Sequence, residues 1–266
     1  VDSDGQFIYI RDRASGATWS TGYHPNDVTP DDYEVTFSID KAEFRRADGD
    51  LLTLMEVVVV PDTDIEVRRV TVTNTGSRSR MLDLTSYAEI VLAPHAADVA
   101  HPAFGKLFVE TEWLPQAQAI LARRRPRAAD QPPLYAIHVL ATDVPGTMSY
   151  ETAREVFLGR RRSTANPQML DRNVTNLSGS IGAVLDPIVA IRRSFHLKAG
   201  ESAGITFSTG MAATREDAIA LAEKYNTTAA VQHAFEFAWA HARIELQGSR
   251  WRPDDCLLYT SPSPRD

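Results

Sequence analysis

Cysteine is the residue this chain has least of. Its single thiol, Cys256, excludes an intrachain disulfide and a cysteine-built metal cluster. Long apolar runs are also missing: none reaches the ~18–20 residues of a membrane-spanning helix. Basic residues are in deficit, 28 Lys and Arg against 35 Asp and Glu, giving a net charge of −7. That balance makes a poor candidate for a nucleic-acid binder. The sequence begins at Val1 rather than Met and carries no signal-peptide pattern. G-x-S-x-G, P-loop, G-x-G-x-x-G and H-E-x-x-H motifs are all absent, so no motif implies a cofactor or a metal site. With 43% hydrophobic and 24% charged residues, the 266-residue chain is of ordinary globular composition. It suits one large domain or two small ones.

Residues 1–211 read as strand after strand. Phe7–Arg11 and Ala17–Ser20 flank Arg13-Ala-Ser-Gly16, a hairpin signature. Tyr33, Val35, Phe37 and Ile39 alternate with polar residues, which predicts one buried face. Leu52–Val60 is rich in β-branched residues and ends at the turn Pro61-Asp62-Thr63-Asp64. Ile65 and Val67 then alternate, with Val70 and Val72 out of phase after Arg68-Arg69, a pattern that predicts a β-bulge. Leu82, Leu84, Ala88, Ile90 and Leu92 hold one phase. Further strands are predicted at Lys106–Glu112, Ala117–Arg123, Leu134–Ala141, Ile188–Leu197 and Ile205–Gly210. Such strands without intervening helices predict an all-β fold, two antiparallel sheets packed face to face.

The period changes at Thr214. Thr214-Arg-Glu-Asp217 resembles a capping box, and Ala218, Leu221, Ala222 and Tyr225 share one helical face. Asn226-Thr-Thr ends that helix and caps a second, which runs to about Gln247. At ~100° per residue, Val231, Phe235, Ala238, Trp239, Ala242 and Leu246 form one stripe of the second helix, and Phe237, Ala240 and Ile244 another. A helix on the surface of a complete domain needs one stripe. Two predict a linker covered from both sides, unless the first helix covers the second stripe through Ile219 and Leu221. The organisation is therefore a β unit over 1–211, a helical linker over 212–248 and a truncated continuation over 249–255. The run from Cys256 to Asp266, CLLYTSPSPRD, reverse-translates to a stretch similar to a common transposase sequencing adapter. We read 256–266 as adapter read-through, and the chain as a fragment of a longer protein.

Signals for chemistry are sparse. Asp62-Thr-Asp64 mimics the D-x-D of metal-dependent glycosyltransferases, but a hairpin turn explains it without an alternating β/α fold. Arg123-Arg-Arg-Pro-Arg127 and Arg160-Arg-Arg162 read as solvated loops or as contacts to another domain. The seven histidines form no tight ligand pair; His138 and His196 fall in strands, and His101, in a loop-like stretch, is the best placed for function.

Several strings occur together and in order: Tyr9-Ile-Arg-Asp12, Gly16-Ala-Thr-Trp-Ser20, Tyr33-Glu-Val-Thr-Phe37, Leu84-Thr-Ser-Tyr-Ala-Glu-Ile-Val-Leu-Ala-Pro94, Ala100-His-Pro-Ala-Phe104, Tyr150-Glu-Thr152, Phe157-Leu-Gly-Arg160 and Gly182-Ala-Val-Leu-Asp-Pro187. Through them, residues 1 to about 247 resemble the supersandwich domain of glycoside hydrolase family 94, formerly glycosyltransferase family 36. The resemblance is narrowest to the first such domain of bacterial cyclic β-1,2-glucan synthases. It implies a two-sheet β-supersandwich related to galactose mutarotase, then linker helices, then an (α/α)₆ barrel that carries the catalytic Asp. This chain stops before that barrel, so the resemblance supplies no catalytic residue and implies a non-catalytic, bracing role. The implied partners are a β-glucan or oligosaccharide and the barrel. The implied parent is a large inner-membrane protein with these domains on its cytoplasmic side. Within the matching strings, His101, Phe104, Tyr150, Glu151 and Arg160 combine aromatic, polar and charged groups, and are the expected carbohydrate contacts. Two rival readings are an aldose-epimerase-like enzyme, pairing His101 with Glu110 or Glu151, and a secreted lectin-like sandwich.

Overall fold

The computed structural model describes residues 5–126, 133–248 and 259–262. Strands β1 (Gln6–Asp12), β2 (Thr18–Ser20), β3 (Asp32–Phe37), β4 (Ala42–Asp48), β5 (Leu51–Val59), β6 (Ile65–Asn74) and β7 (Arg80–Glu89) come first. Short helices α1 (His95–Ala100) and α2 (Pro102–Lys106) lead into β8 (Val109–Leu114), β9 (Ala119–Arg124), β10 (Leu134–Ala141) and β11 (Gly146–Ala153). Helix α3 (Arg154–Leu158) and a 3₁₀ turn at Gln168–Leu170 precede β12 (Pro187–Leu197) and β13 (Ser202–Ala212). Helices α4 (Arg215–Tyr225) and α5 (Thr228–Gly248) follow, and β14 (Tyr259–Pro262) lies against β3.

The strands form two antiparallel sheets, one of five in the order β11-β12-β7-β1-β2 and one of nine in the order β14-β3-β4-β5-β6-β13-β10-β9-β8. Leu82, Leu84 and Ile191 of the smaller sheet meet Val70, Val72, Ile120, Ile205 and Phe207 of the larger, forming the interior of the sandwich. The fold is thus the two-sheet sandwich the alternation predicts.

The predicted bulge in β6 is absent. Pairing with β5 runs unbroken through Glu56–Arg69 and Val57–Arg68, and pairing with β13 through Thr206–Arg69 and Phe207–Arg68. What changes along β6 is the covered face. Val70 and Val72 point into the sandwich, whereas Ile65 and Val67 point outward beneath Ala218, Ala222, Val231 and Phe235 of the helical hairpin. A regular strand buried on opposite faces in its two halves shows the same phase shift as a bulge.

The face of Tyr33, Val35, Phe37 and Ile39 is another correction. Tyr33 and Val35 are half-buried, but Phe37 is 55% and Ile39 46% exposed. The nine-stranded sheet is wider than the five-stranded sheet that covers it, and β3 lies on the overhang. Lys106, predicted to open a strand, instead ends α2, and the strand begins at Val109.

Two arginines buried on the outer side of the smaller sheet fix the long excursion between α3 and β12. Arg11 pairs with Asp83 through its Nε at 2.9 Å and donates to the carbonyls of Asp171 and Val174. Arg192 donates to Thr85 Oγ1 at 3.0 Å and to the Met169 carbonyl. Charge-assisted donors to backbone oxygens are among the stronger hydrogen bonds, and here they substitute for a ladder the excursion lacks.

The α4 cap forms as predicted: Thr214 Oγ1 accepts from the Asp217 amide at 3.1 Å and donates to the Asp217 carboxylate at 2.6 Å. Along α5, Val231, Ala234, Phe235 and Ala238 are buried against the nine-stranded sheet. Phe235 also carries the Arg69 guanidinium at 4.0 Å from its ring centroid. Beyond Ala238 burial ends: Trp239 is 51% and Ile244 68% exposed, and Phe237 on the second stripe is 37% exposed. The first stripe is therefore covered only in its first half, and α4 does not cover the second.

Candidate functional site

The expected carbohydrate contacts fall on three separate segments. His101 is the hinge residue between α1 and α2. Its amide donates to the Ala97 carbonyl and its carbonyl accepts from Gly105, which leaves an exposed imidazole at the junction. Phe104, on α2, is 54% exposed and meets Phe108 edge-on at 5.3 Å. Arg124 holds this segment down by donating to the Gly105 carbonyl at 2.9 Å and the Val91 carbonyl at 3.2 Å.

Tyr150 and Glu151 belong to β11 and point to opposite sides of it. The Tyr150 ring stacks on Trp113, with centroids 4.3 Å apart and planes within 12°. Glu151 is fully buried and accepts from the amides of Thr152 and Ala153 at 2.9 and 2.8 Å, and from Ser180 Oγ at 3.2 Å. These bonds sit where the β11–β12 register shifts between Glu151 and Ala153. The carboxylate thus satisfies backbone amides that the ladder leaves out. Arg160 is exposed, between Gly159 and Arg161, both with positive φ.

The structure does not gather these five side chains into one site, although a charge cluster ties two of their segments together. Lys106, at the end of α2, lies 3.0 Å from Glu89 and 2.8 Å from Asp186; Arg154, opening α3, lies 2.7 Å from Glu89. Burial alone would raise the Glu89 carboxyl. Hydrogen bonds from Lys106 and Arg154 outweigh it and hold Glu89 below the usual carboxylate range. Lys106 is correspondingly raised: burial would lower it, but Asp186 and Glu89 prevail. No sequence motif marks this cluster, because its members come from four distant segments.

Neither carboxylate named for the epimerase-like pairing is available to His101. Glu110 is taken by Arg123 at 2.6 Å and Arg125 at 3.2 Å, and Glu151 by its own backbone. Asp62 and Asp64 occupy the β5–β6 turn, closed by the Val60 amide on the Ile65 carbonyl at 3.0 Å. Among the described residues no group of three or more His, Cys, Asp and Glu side chains is placed to hold a metal ion. Arg127, the last of its basic run, lies outside the described residues. An open, mainly apolar groove of about 1340 Å³ runs past Val59, Leu92, Pro94, Leu134 and Met211, beside the charge cluster at Glu89.

The interior holds one histidine with both ring nitrogens engaged. His138 on β10 reaches Ser86 Oγ across the sandwich at 2.8 Å and Thr209 Oγ1 at 2.8 Å, and lies parallel to Phe207. Burial lowers its pKa to about 3, with the Arg68 charge adding to the effect. It is a neutral bridge between the sheets.

Two unequal antiparallel sheets, with a helical hairpin on the outer face of the wider one, define the class: the chain belongs to the glycosyl hydrolase 94 supersandwich domain family, whose profile matches residues 1–228. It is 35% identical over 249 residues to the cyclic β-(1,2)-glucan synthase NdvB of Rhizobium meliloti, covering 92% of this chain and 9% of that protein. It is 28% identical over 204 residues to the solabiose phosphorylase of Paenibacillus borealis, covering 77% of this chain and 25% of that one. The chain therefore spans a quarter or less of these relatives. Among solved structures, a bacterial glucoamylase complexed with acarbose shares the fold, with a TM-score of 0.50 at 8% identity, over 89% of this chain and 31% of that one.

Proposed function

We propose that this chain is the non-catalytic supersandwich unit of a larger β-glucan-processing enzyme of the cyclic β-1,2-glucan synthase type. Its β unit spans 1–211, and its linker over 212–248 braces an (α/α)₆ catalytic barrel. The observation that carries this reading is the second half of α5, where Trp239 and Ile244 stand exposed. Apolar groups clustered on one element in this way mark a surface meant for a partner. The small share of each relative that the chain spans supports the same reading. The parent would be an inner-membrane protein with this unit on its cytoplasmic side. Among the described residues, no helix is long and apolar enough to cross a membrane.

The test is a comparison of this chain with one extended through the downstream helices and barrel. The isolated chain should neither cleave nor synthesise β-glucan, with or without phosphate or UDP-glucose, and Trp239 emission should shift to shorter wavelength only in the extended protein. Turnover by the isolated chain that disappears on His101→Ala would overturn the reading in favour of an epimerase-type enzyme. Direct glycan contact falls to the exposed groups His101, Phe104 and Arg160 rather than to Tyr150 and Glu151. Titration with β-1,2-gluco-oligosaccharides checks it, and no response at millimolar glycan would remove it.

A further inference from the structure

Several arginines of this acidic chain lie on the excursion after α3 and on the turn after β1. The excursion after α3 folds back over the turn that follows β1, and a polar cleft of about 270 Å³ opens between them, lined by Thr18, Asn26, Arg162, Asn166, Asp171 and Arg172. Arg172 extends across Gly16 and donates to the Ala14 carbonyl at 3.1 Å. Arg162 reaches Asp171 at 2.6 Å, which is the one carboxylate in the lining. Arg13, Arg160 and Arg161 adjoin these segments in the chain. Among the described residues, neither they nor Arg172 have a carboxylate partner. Asn26 donates its Nδ2 to the Ala165 carbonyl at 2.7 Å, while its Oδ1 is a buried acceptor with no donor. Arg161 holds a left-handed backbone (φ 62°), unusual for a residue with a side chain.

We infer that this cleft binds a small phosphorylated polyol, of the sugar-phosphate class, with the oxyanion between Arg162 and Arg172 and its hydroxyls against the polar lining of Thr18, Asn26 and Asn166. Guanidinium forks match phosphate oxygens in pairs and retain their charge at any relevant pH. The surplus of positive charge is local, against a net charge of −7 for the chain. No aromatic ring lines the cleft, so a neutral sugar finds no stacking surface there. Arg11 and Arg192, through their bonds to the carbonyls of Asp171, Val174 and Met169, fix the segment that carries Asp171 and Arg172.

Calorimetric titration of the full chain with glucose 6-phosphate, inorganic phosphate and glucose tests the inference. Glucose 6-phosphate should bind, inorganic phosphate more weakly, and glucose not at all at the same concentrations, with affinity falling steeply as salt is raised. Arg162→Gln and Arg172→Gln should each weaken binding by about tenfold or more. Asp171→Asn, which removes only the competing carboxylate, should tighten it. That gain is a change no merely structural role would produce, and it keeps the test readable if Arg172→Gln fails to fold. No response to either phosphate at about 20 mM, equal binding of glucose and glucose 6-phosphate, or affinities unmoved by these substitutions would overturn the site. So would binding confined to vesicles of anionic phospholipid, which would reassign these arginines to a membrane surface.

Discussion

The two faces of the nine-stranded sheet are both buried, but by different means. The inner face is closed by another sheet, with Val70, Val72, Ile205 and Phe207 opposite Leu82, Leu84 and Ile191. The outer face is closed by α4 and the first half of α5, over Val58, Val67, Ile137 and Val139. Sheet against sheet covers the interior from Met55 on one side to Val109 on the other, leaving the β3 overhang and the open groove past Val59, Leu134 and Met211. A helix covers a strip one stripe wide, and α5 does so only as far as Ala238. The difference teaches where this molecule closes its own core and where it leaves apolar surface over: the inner face is closed across its centre, and the outer face ends in an uncovered helix.

If the inner face is the closed one, the largest loss should come from it. Phe207→Ala, at 2% exposure and stacked on His138, should destabilise the chain by about 4 kcal/mol in urea unfolding. A loss below that of an outer-face substitution would break the comparison. Phe235→Ala, which removes the ring lying on the sheet and beneath Arg69, should cost about 3 kcal/mol. The inner face should also set the acid response. His138 titrates near 3 when folded and near its ordinary value of 6.5 when unfolded, so the unfolded chain takes up the proton first. The stabilisation is complete above about pH 6.5 and declines as pH falls toward 3, by up to about 1.4 kcal/mol per pH unit. His138→Gln should flatten that slope in unfolding curves measured between pH 4 and 7, whereas a slope unchanged by the substitution would assign the acid response elsewhere. The smallest effect belongs to the uncovered helix. Ile244→Ser in the isolated chain should change stability by less than about 0.5 kcal/mol. The same substitution in a protein that includes the proposed barrel should cost several times more.

Where apolar residues run through a whole element, or its cap is local, the sequence could be read. β10 is found at its predicted limits, Leu134–Ala141, and Thr214 caps α4 through Asp217 as its spacing suggests. β4 and β11 were missed because polar residues break any apolar alternation in them: Arg45, Arg46 and Asp48 in one, Thr147, Ser149 and Glu151 in the other. Their strand character comes from the neighbours they pair with, not from a pattern of their own. Helices α1 and α2 are too short to show a period. The candidate contacts were harder still. Glu151 looks like any surface carboxylate until the register shift beside it reveals two amides in need of an acceptor. The Arg162–Arg172 cleft depends on two buried arginines more than a hundred residues apart in the chain, a distance no local string conveys.

The way β6 serves both faces bears on how the chain reaches this structure. A slip of one residue in an ordinary half-exposed strand turns a single row of side chains the wrong way. In β6 the same slip would turn Val70 and Val72 out of the sandwich and drive Ile65 and Val67 into it, spoiling two cores in a single error. Register is therefore checked twice along one strand, by partners that arrive separately: β7 and β12 on one side, α4 and α5 on the other. Closure of the sandwich and docking of the helical hairpin become parts of one cooperative event, with the β5–β6 ribbon as the element on which both must agree.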